Sequence, residues 1–436
     1  MRKWREVALS ELADIRVSNV DKKAFISEKP VLLCNYMDVY SNDYVRADIA
    51  FMEATATIAE ISRFKVERGD VLITKDSETP DDIGIPAVVM DEVDSLVCGY
   101  HLALIKPKRE LVDSVYLCKQ LATDRTARYF GRYAAGSTRY GLSNGAIART
   151  RISIPPLAAQ RKIAAILTGF DTVIEKTEAL IAKYQHIKAG LMHDLFTRGV
   201  LPNGQLRPPR EQAPELYQET AIGWIPKEWR ASTCGQSCVI DSGITLGPHR
   251  RPQKRAHPYL RVANVYRDEL RLDDVATLEL LPGEEAMALR KFDLLVVEGH
   301  ANRAEIGRCA MVHDDAEGLL FQNHLFRIRA TGLNPVYALL WMNSYYSQSY
   351  WERACATSSG LNTINRRMLK AMPFLVPSDA EQDQIAAAAQ TAKDRIAKTL
   401  CQFEKLRQQR IGLMQDLLTG KVPVKVPESA TEPAHA

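Results

Sequence analysis

Residues 154–200 recur at residues 376–422 with a constant offset of 222 and no gap, so this chain must fold into something that contains the same element twice. The matches include Pro155 with Pro377, Gln160 with Gln382, Ile163-Ala164-Ala165 with Ile385-Ala386-Ala387, and Lys176-Thr177 with Lys398-Thr399. Gly190-Leu191-Met192 likewise matches Gly412-Leu413-Met414, and Asp194-Leu195 matches Asp416-Leu417. Each copy follows a proline, which blocks helix upstream, and runs about 42 residues to Gly199 or Gly420. At 1.5 Å per residue, that predicts two helices roughly 63 Å long.

The shared apolar positions step alternately by four and three, the 3.5-residue period of a coiled coil. In the first copy the seam is Ile163, Leu167, Phe170, Ile174, Thr177, Ile181, Tyr184, Lys188, Leu191 and Leu195. In the second it is Ile385, Ala389, Ala392, Ile396, Thr399, Phe403, Leu406, Arg410, Leu413 and Leu417. Even the single basic position repeats. Either helix alone would leave a long apolar stripe in water, and packing one stripe on the other covers both. The alternative, each helix packing only on its own globule, needs a separate seam for each.

The segments ahead of the helices correspond more loosely. Trp4-Arg5 matches Trp229-Arg230, Asp38-Val39-Tyr40 matches Asn264-Val265-Tyr266, Asp70 matches Asp293, Ile83-Gly84 matches Ile306-Gly307, and His101 matches His324. Gly141-Leu142 matches Gly360-Leu361 near the ends of these segments. Runs such as Val71–Thr74, Pro86–Met90, Leu294–Val297 and His324–Ile328 read as strands among short helical stretches, giving two α+β globules. Prolines and polar residues mark 200–222 as a linker, and the Pro/Ala-rich residues 421–436 as a disordered tail.

The composition, 46% hydrophobic and 25% charged, is that of a globular chain. No apolar run approaches the roughly 18 residues of a membrane span and no signal peptide is evident, so a cytoplasmic setting is expected. Eight cysteines lie scattered without a CxxC pair or a zinc-ligand spacing, and read as reduced thiols. No phosphate loop, HExxH, GxSxG or Gly-rich nucleotide motif appears, and Asp81-Asp82 lacks a suitably placed acidic-x-Lys partner for nuclease chemistry. Neither catalytic nor metal-binding residues are assigned.

A net charge of +4 is too small to argue for nucleic acid, but basic residues cluster. Residues 119–151 carry Lys119, Arg125, Arg128, Arg132, Arg139, Arg149 and Arg151 against the single acid Asp124, interleaved with Tyr129, Phe130, Tyr133 and Tyr140. Residues 249–267 carry Arg250, Arg251, Lys254, Arg255, Arg261 and Arg267 with no acid. Arginine and lysine neutralise phosphates, while arginine forks and asparagine amides read base edges. The candidate DNA contacts are therefore Arg128, Arg132, Arg139, Tyr140, Arg250, Arg251, Lys254, Arg255, Arg261 and Asn264. One such run is usually a solvated face; its recurrence in both halves favours a function. Small polar loops at Gly136–Arg139 and Ser358–Asn362 could approach phosphates or be plain turns.

With these residues in view, the whole chain resembles the specificity subunit of type I restriction-modification systems. The resemblance rests on Ile152-Ser153-Ile154-Pro155-Pro156-Leu157 followed by Gln160-Arg161-Lys162-Ile163, and on Phe374-Leu375-Val376-Pro377 followed by Glu381-Gln382-Asp383-Gln384-Ile385. The helix exits and Ile222-Gly223-Trp224-Ile225-Pro226-Lys227-Glu228-Trp229 carry it too. One departure is Ala159-Gln160 where the family has Glu-Gln, as at Glu381-Gln382.

The resemblance implies a target-recognition domain at 1–153, a conserved helix at 154–199, a linker at 200–222, a second recognition domain at 223–375 and a second helix at 376–420. The helices would pair antiparallel, holding the readers apart along the seam of Ile163, Phe170, Ile174, Ile181, Tyr184 and Leu191 with Ile385, Ile396, Phe403, Leu406 and Leu413. Each domain would read half of an interrupted asymmetric site on double-stranded DNA. Two modification subunits would bring S-adenosylmethionine, and restriction subunits would bring ATP and Mg-dependent translocation and cleavage; this chain would hold no cofactor. Two other readings stay open: a self-sufficient DNA methyltransferase or nuclease, which would act without partners, and a coiled-coil scaffold, which would bind DNA without sequence preference or not at all.

Overall fold

The computed structural model describes residues 4–220, 222–355 and 362–426. The chain divides into two units. One comprises the residues up to Ala179 together with those from Cys401 onward, and the other Leu180–Leu400. The first unit is therefore discontinuous in sequence, and the second is one unbroken segment.

In the first unit the central sheet is built from β1 (Ala13–Val17), β2 (Tyr44–Val45), β3 (Val71–Thr74), β4 (Pro86–Val89) and β5 (Leu102–Pro107), in the order β1-β5-β3-β4-β2. All pairs are antiparallel except β4 with β2. Val71-Leu72-Ile73-Thr74 is buried throughout because both faces of the sheet are covered. Val71, Ile73, Ala103 and Ile105 enter one apolar core, and Leu72, Leu102 and Leu104 enter another, as the two-residue strand period dictates. Beyond the sheet come α1 (Ser114–Leu121) and α2 (Asp124–Tyr133). Strand Arg5–Ala8 then pairs with Arg151–Ile154, and the proline pair 155–156 leads into α3 (Leu157–Thr197), 41 residues long.

The second unit repeats this plan. Its sheet consists of β6 (Cys238–Ser242), β7 (Leu294–Val297), β8 (Cys309–Met311) and β9 (Leu325–Ala330) in the order β6-β9-β7-β8. The register is the same: Ile105 faces Ile15 and Val71 in the first unit, and Ile328 faces Ile240 and Leu294 in the second. A three-stranded side sheet also recurs, at Lys29–Cys34, Met52–Ala56 and Leu96–Cys98 and at Ala256–Leu260, Ala276–Glu279 and Leu320–Phe321. After α4 (Pro335–Met342) and α5 (Tyr345–Ala354), Arg230–Thr233 pairs with Pro373–Val376, and α6 (Asp379–Leu418) follows, 40 residues long. The duplication read from the helices thus extends through both globules, where most sequence identity has been lost.

Two structural details refine the sequence reading. The expected linker is ordered in its described residues: Tyr217–Thr220 forms a hairpin with Gly223–Pro226, and Arg207 is buried. Of the expected tail, Val424 packs on the first unit's core; residues 427–436, like residues 356–361 with the Gly360-Leu361 match, lie outside the described residues. The eight cysteines are unpaired, and only Cys401 is exposed.

The matched glycines Gly84 and Gly307 have φ of +78° and +66°, and each lies under an aromatic ring, Phe130 on α2 and Trp351 on α5. A Cβ at either site would overlap that ring in a backbone conformation L-residues rarely adopt. Gly84→Ala and Gly307→Ala are each expected to lower stability by about 2 kcal/mol or more in chemical denaturation, whereas Ala at the open, solvent-facing Gly169 should be neutral or stabilising.

Candidate nucleic-acid interface

The first basic cluster rides mainly on α2, where helical spacing buries Thr126 and Phe130 and turns Arg125, Arg128 and Arg132 outward. Arg125 is held by Glu6 at 2.7 and 2.8 Å. Arg128 donates only to the Asp124 carbonyl, and Arg132 and Arg139 are exposed without an ion pair among the described residues. Tyr140 is half-buried in a two-residue ribbon that pairs Tyr140–Gly141 with Asp76–Ser77. Lys119 belongs to the interior, as do Phe130 and most of Tyr129, whose hydroxyl donates to Ala146 O.

The second cluster is largely neutralised by acids that arrive later in the sequence. Arg250 forms a two-pronged pair with Glu284, both contacts 2.6 Å, and this hydrogen bonding holds the Glu284 carboxyl below its usual range. Arg255 pairs with Glu285 at 2.8 Å and Arg261 with Asp274 at 2.6 Å. Asn264 is buried; its carbonyl accepts from Arg261 N, and its amide donates to the carbonyls of Arg271 and Asp274. It presents no free edge to a base. Arg251 and Lys254 remain exposed without an ion pair among the described residues. Arg250 and Asn264, both expected to contact DNA, thus make side-chain bonds within their own unit.

Ile163, Ile181 and Ile385 are buried, and Phe170, Ile174, Tyr184, Leu191, Ile396, Phe403, Leu406 and Leu413 are half-buried, while most residues between them are more exposed. In the first unit Ile163 and Leu167 share a core with Leu417 and Leu418, and Asp171 is bound by Arg410. In the second, Arg395 lies over the Tyr184 ring at 4.6 Å, and Leu195 and Phe196 share a core with Ile385 and Ala389. Partners descend along α6 as they ascend along α3, which is antiparallel pairing.

The repeated basic position now has a role on one side. Arg410 binds both Asp171 and Asp43, and buried Lys119 binds the same two carboxylates at 2.8 and 3.0 Å. Tyr44 donates its hydroxyl to Asp171 at 2.6 Å. Burial alone would raise the Asp171 carboxyl, but Lys119, Tyr44 and Arg410 outweigh it and hold it below the usual carboxylate range. The matched glutamines act as clasps. Gln160 accepts from Asp113 N and donates to the carbonyls of Leu111 and Pro155; Gln382 accepts from Asn334 N and donates to Pro377 O. Glu381, with no counterpart at Ala159, binds Arg207 and Val200 N and so fastens the linker.

The matched histidines were noted in the sequence without a role. His101 Nδ1 lies 2.6 Å from an Asp76 carboxylate oxygen, and His324 Nδ1 lies 2.7 Å from Glu298. Among the described residues no group of three or more His, Cys, Asp or Glu side chains could hold a metal, and no helix is long and apolar enough to cross a membrane.

Two α+β units of one plan, each completed by a segment of both long antiparallel helices, define a duplicated chain. Residues 1–184 match the family described as type I restriction modification DNA specificity domain. The MjaX and MjaVIII type I restriction enzyme specificity subunits of Methanocaldococcus jannaschii are 24% and 22% identical to this chain. The first alignment covers 40% of this chain and 39% of that relative, the second 89% and 87%. The solved S subunit of a type I restriction-modification system from M. genitalium shares the fold over 95% of this chain and 96% of its own, with a TM-score of 0.52 at 13% identity. The chain is similar to type I restriction-modification specificity subunits, in sequence over residues 1–184 and in fold over nearly its whole length.

Because the Asp171 carboxyl is held low in the folded state, its contribution to stability is present above the unfolded carboxylate pKa of roughly 4 and is lost as pH falls below it. Asp171→Asn is expected to cost about 3–5 kcal/mol at neutral pH, by leaving Lys119 and Arg410 undercompensated, and to flatten the acid limb of a stability-against-pH curve. Replacing Asp171 and Lys119 together with Leu and Met should cost less than Asp171→Asn alone.

Proposed function

We infer that this chain is the DNA-reading subunit of a type I restriction-modification complex and supplies no catalytic group. The observation that carries this reading is the pairing of one repeated frame with two different surfaces: the same sheet register and the same glutamine clasps recur, while the residues offered to solvent differ. Residues 1–153 and 223–375 are the two readers, one for each half of an interrupted double-stranded DNA site. The helices at 154–199 and 376–420 are the docking frame for two modification subunits, joined through the segment 200–222. S-adenosylmethionine is the cofactor of those subunits, and ATP and Mg that of restriction subunits. Arg128, Arg132 and Arg139 in the first reader and Arg251 and Lys254 in the second are the phosphate-facing cations.

Expressing the chain with its modification subunit and mapping methylated bases across a genome tests the reading: a split asymmetric motif is expected. Exchanging residues 1–153 for those of another specificity subunit should change one half of that motif only; changes in both halves would sink the modular reading. Inserting one helical turn within 170–190, with the matching turn in α6, should lengthen the unread gap and leave both half-sites intact. Arg251→Ala with Lys254→Ala should weaken binding about equally on all sequences and reduce its salt dependence, whereas Arg250→Ala should act chiefly through stability.

A further inference from the structure

The reading above leaves the His101–His324 match without a task, and the fold puts both histidines at one topological position. Each immediately precedes the strand next to the sheet's edge, β5 or β9, and each is bonded through its backbone to the residue that leaves the neighbouring strand. Lys75 N donates to His101 O at 2.9 Å, and Glu298 N donates to His324 O at 3.0 Å. A returning chain then joins that same residue, with Leu142 N donating to Lys75 O and Ile364 N to Glu298 O, both at 2.7 Å. Two-residue ribbons follow, Asp76–Ser77 with Tyr140–Gly141 and Gly299–His300 with Asn362–Thr363.

The imidazole is fixed by a carboxylate in both units, but the carboxylate comes from different positions. In the first unit it is Asp76, one residue past the position that Glu298 fills in the second. An ionised carboxylate can only accept, so Nδ1 carries a proton, and in the neutral imidazole Nε2 is then an acceptor. Around His101 lies an open cleft of about 490 Å³. Its acceptors are Asp76, Glu78 and Asp82, its rim carries the exposed cations Lys22 and Arg139, and Tyr36 stacks on Tyr40 at 5.4 Å along one wall. Acceptors inside and cations at the edge suit a base edge bearing an amino donor, flanked by phosphates. In the major groove those donors are adenine N6 and cytosine N4.

We propose that the His101–Asp76 and His324–Glu298 pairs are specificity-determining contacts, each reading the exocyclic amino group of one adenine or cytosine in the half-site of its own unit. The proposal rests on the DNA-reading function given above. The frame is common, and the shifted carboxylate makes the two readers chemically different.

The test uses the full chain assembled with its modification subunit. In methylome maps, His101→Gln should relax a single position in one half-site, with discrimination there falling about tenfold, and His324→Gln should relax a single position in the other. On the cognate duplex, replacing the read adenine by purine, or the read cytosine by 2-pyrimidinone, removes the amino group. That should weaken wild-type binding about tenfold and leave the matching Gln variant nearly indifferent. Unchanged motifs, uniform weakening on all sequences, or equal loss for wild type and variant on the analogue would overturn the proposal. If His101→Gln melts prematurely, Asp76→Asn takes its place, with the same expectation for the same half-site. A split wild-type motif that none of the variants alters would overturn this inference alone; a wild type without any motif would overturn the DNA-reading function with it.

Discussion

Every other feature of this chain depends on the apolar seam of its two long helices. A stripe of the length carried by α3 or α6 cannot stay in water, and neither globule covers it alone, so each helix needs the other. Because the pairing is antiparallel, the start of one helix meets the end of the other. Each unit is therefore completed by segments from both helices: Leu417 and Leu418 join Ile163 and Leu167, while Leu195 and Phe196 join Ile385 and Ala389. The buried carboxylates and cations around Asp171 and Arg410 add register to this apolar attraction, since a shift of α6 would leave buried charges without partners.

The helices were legible in the sequence because their pattern is local: a 3.5-residue period, a proline ahead and a glycine behind. The strands were legible where both faces are buried, as in Val71–Thr74 and Leu294–Val297, since uninterrupted apolar runs need no knowledge of their neighbours. The ordering of the linker was not legible. Its proline content is that of a tether, and what fixes it is Glu381, some 174 residues beyond Arg207, a separation no composition argument spans.

Surface charge was the least legible property, and the second basic cluster shows why. Counting residues 249–267 found cations without acids, because the balancing Asp274, Glu279, Glu284 and Glu285 come later in the sequence and are returned beside them by the fold. The first cluster kept more of its charge, since α2 turns Arg128 and Arg132 away from the rest of its unit. The histidine–carboxylate pairs escaped for a related reason. The histidines match between halves, but their partners sit at non-equivalent positions, so only the folded geometry makes them the same device.

The discontinuous first unit also affects how the protein is made. Its core includes Leu417 and Leu418, which leave the ribosome more than two hundred residues after Ala179. At typical synthesis rates, that leaves the first unit without part of its interior for on the order of tens of seconds while the second is translated. During that interval the apolar face of α3 near Ile163 and Leu167 lacks its contacts with Leu417 and Leu418. The length of the second unit thus sets how long the first waits for its last core residues.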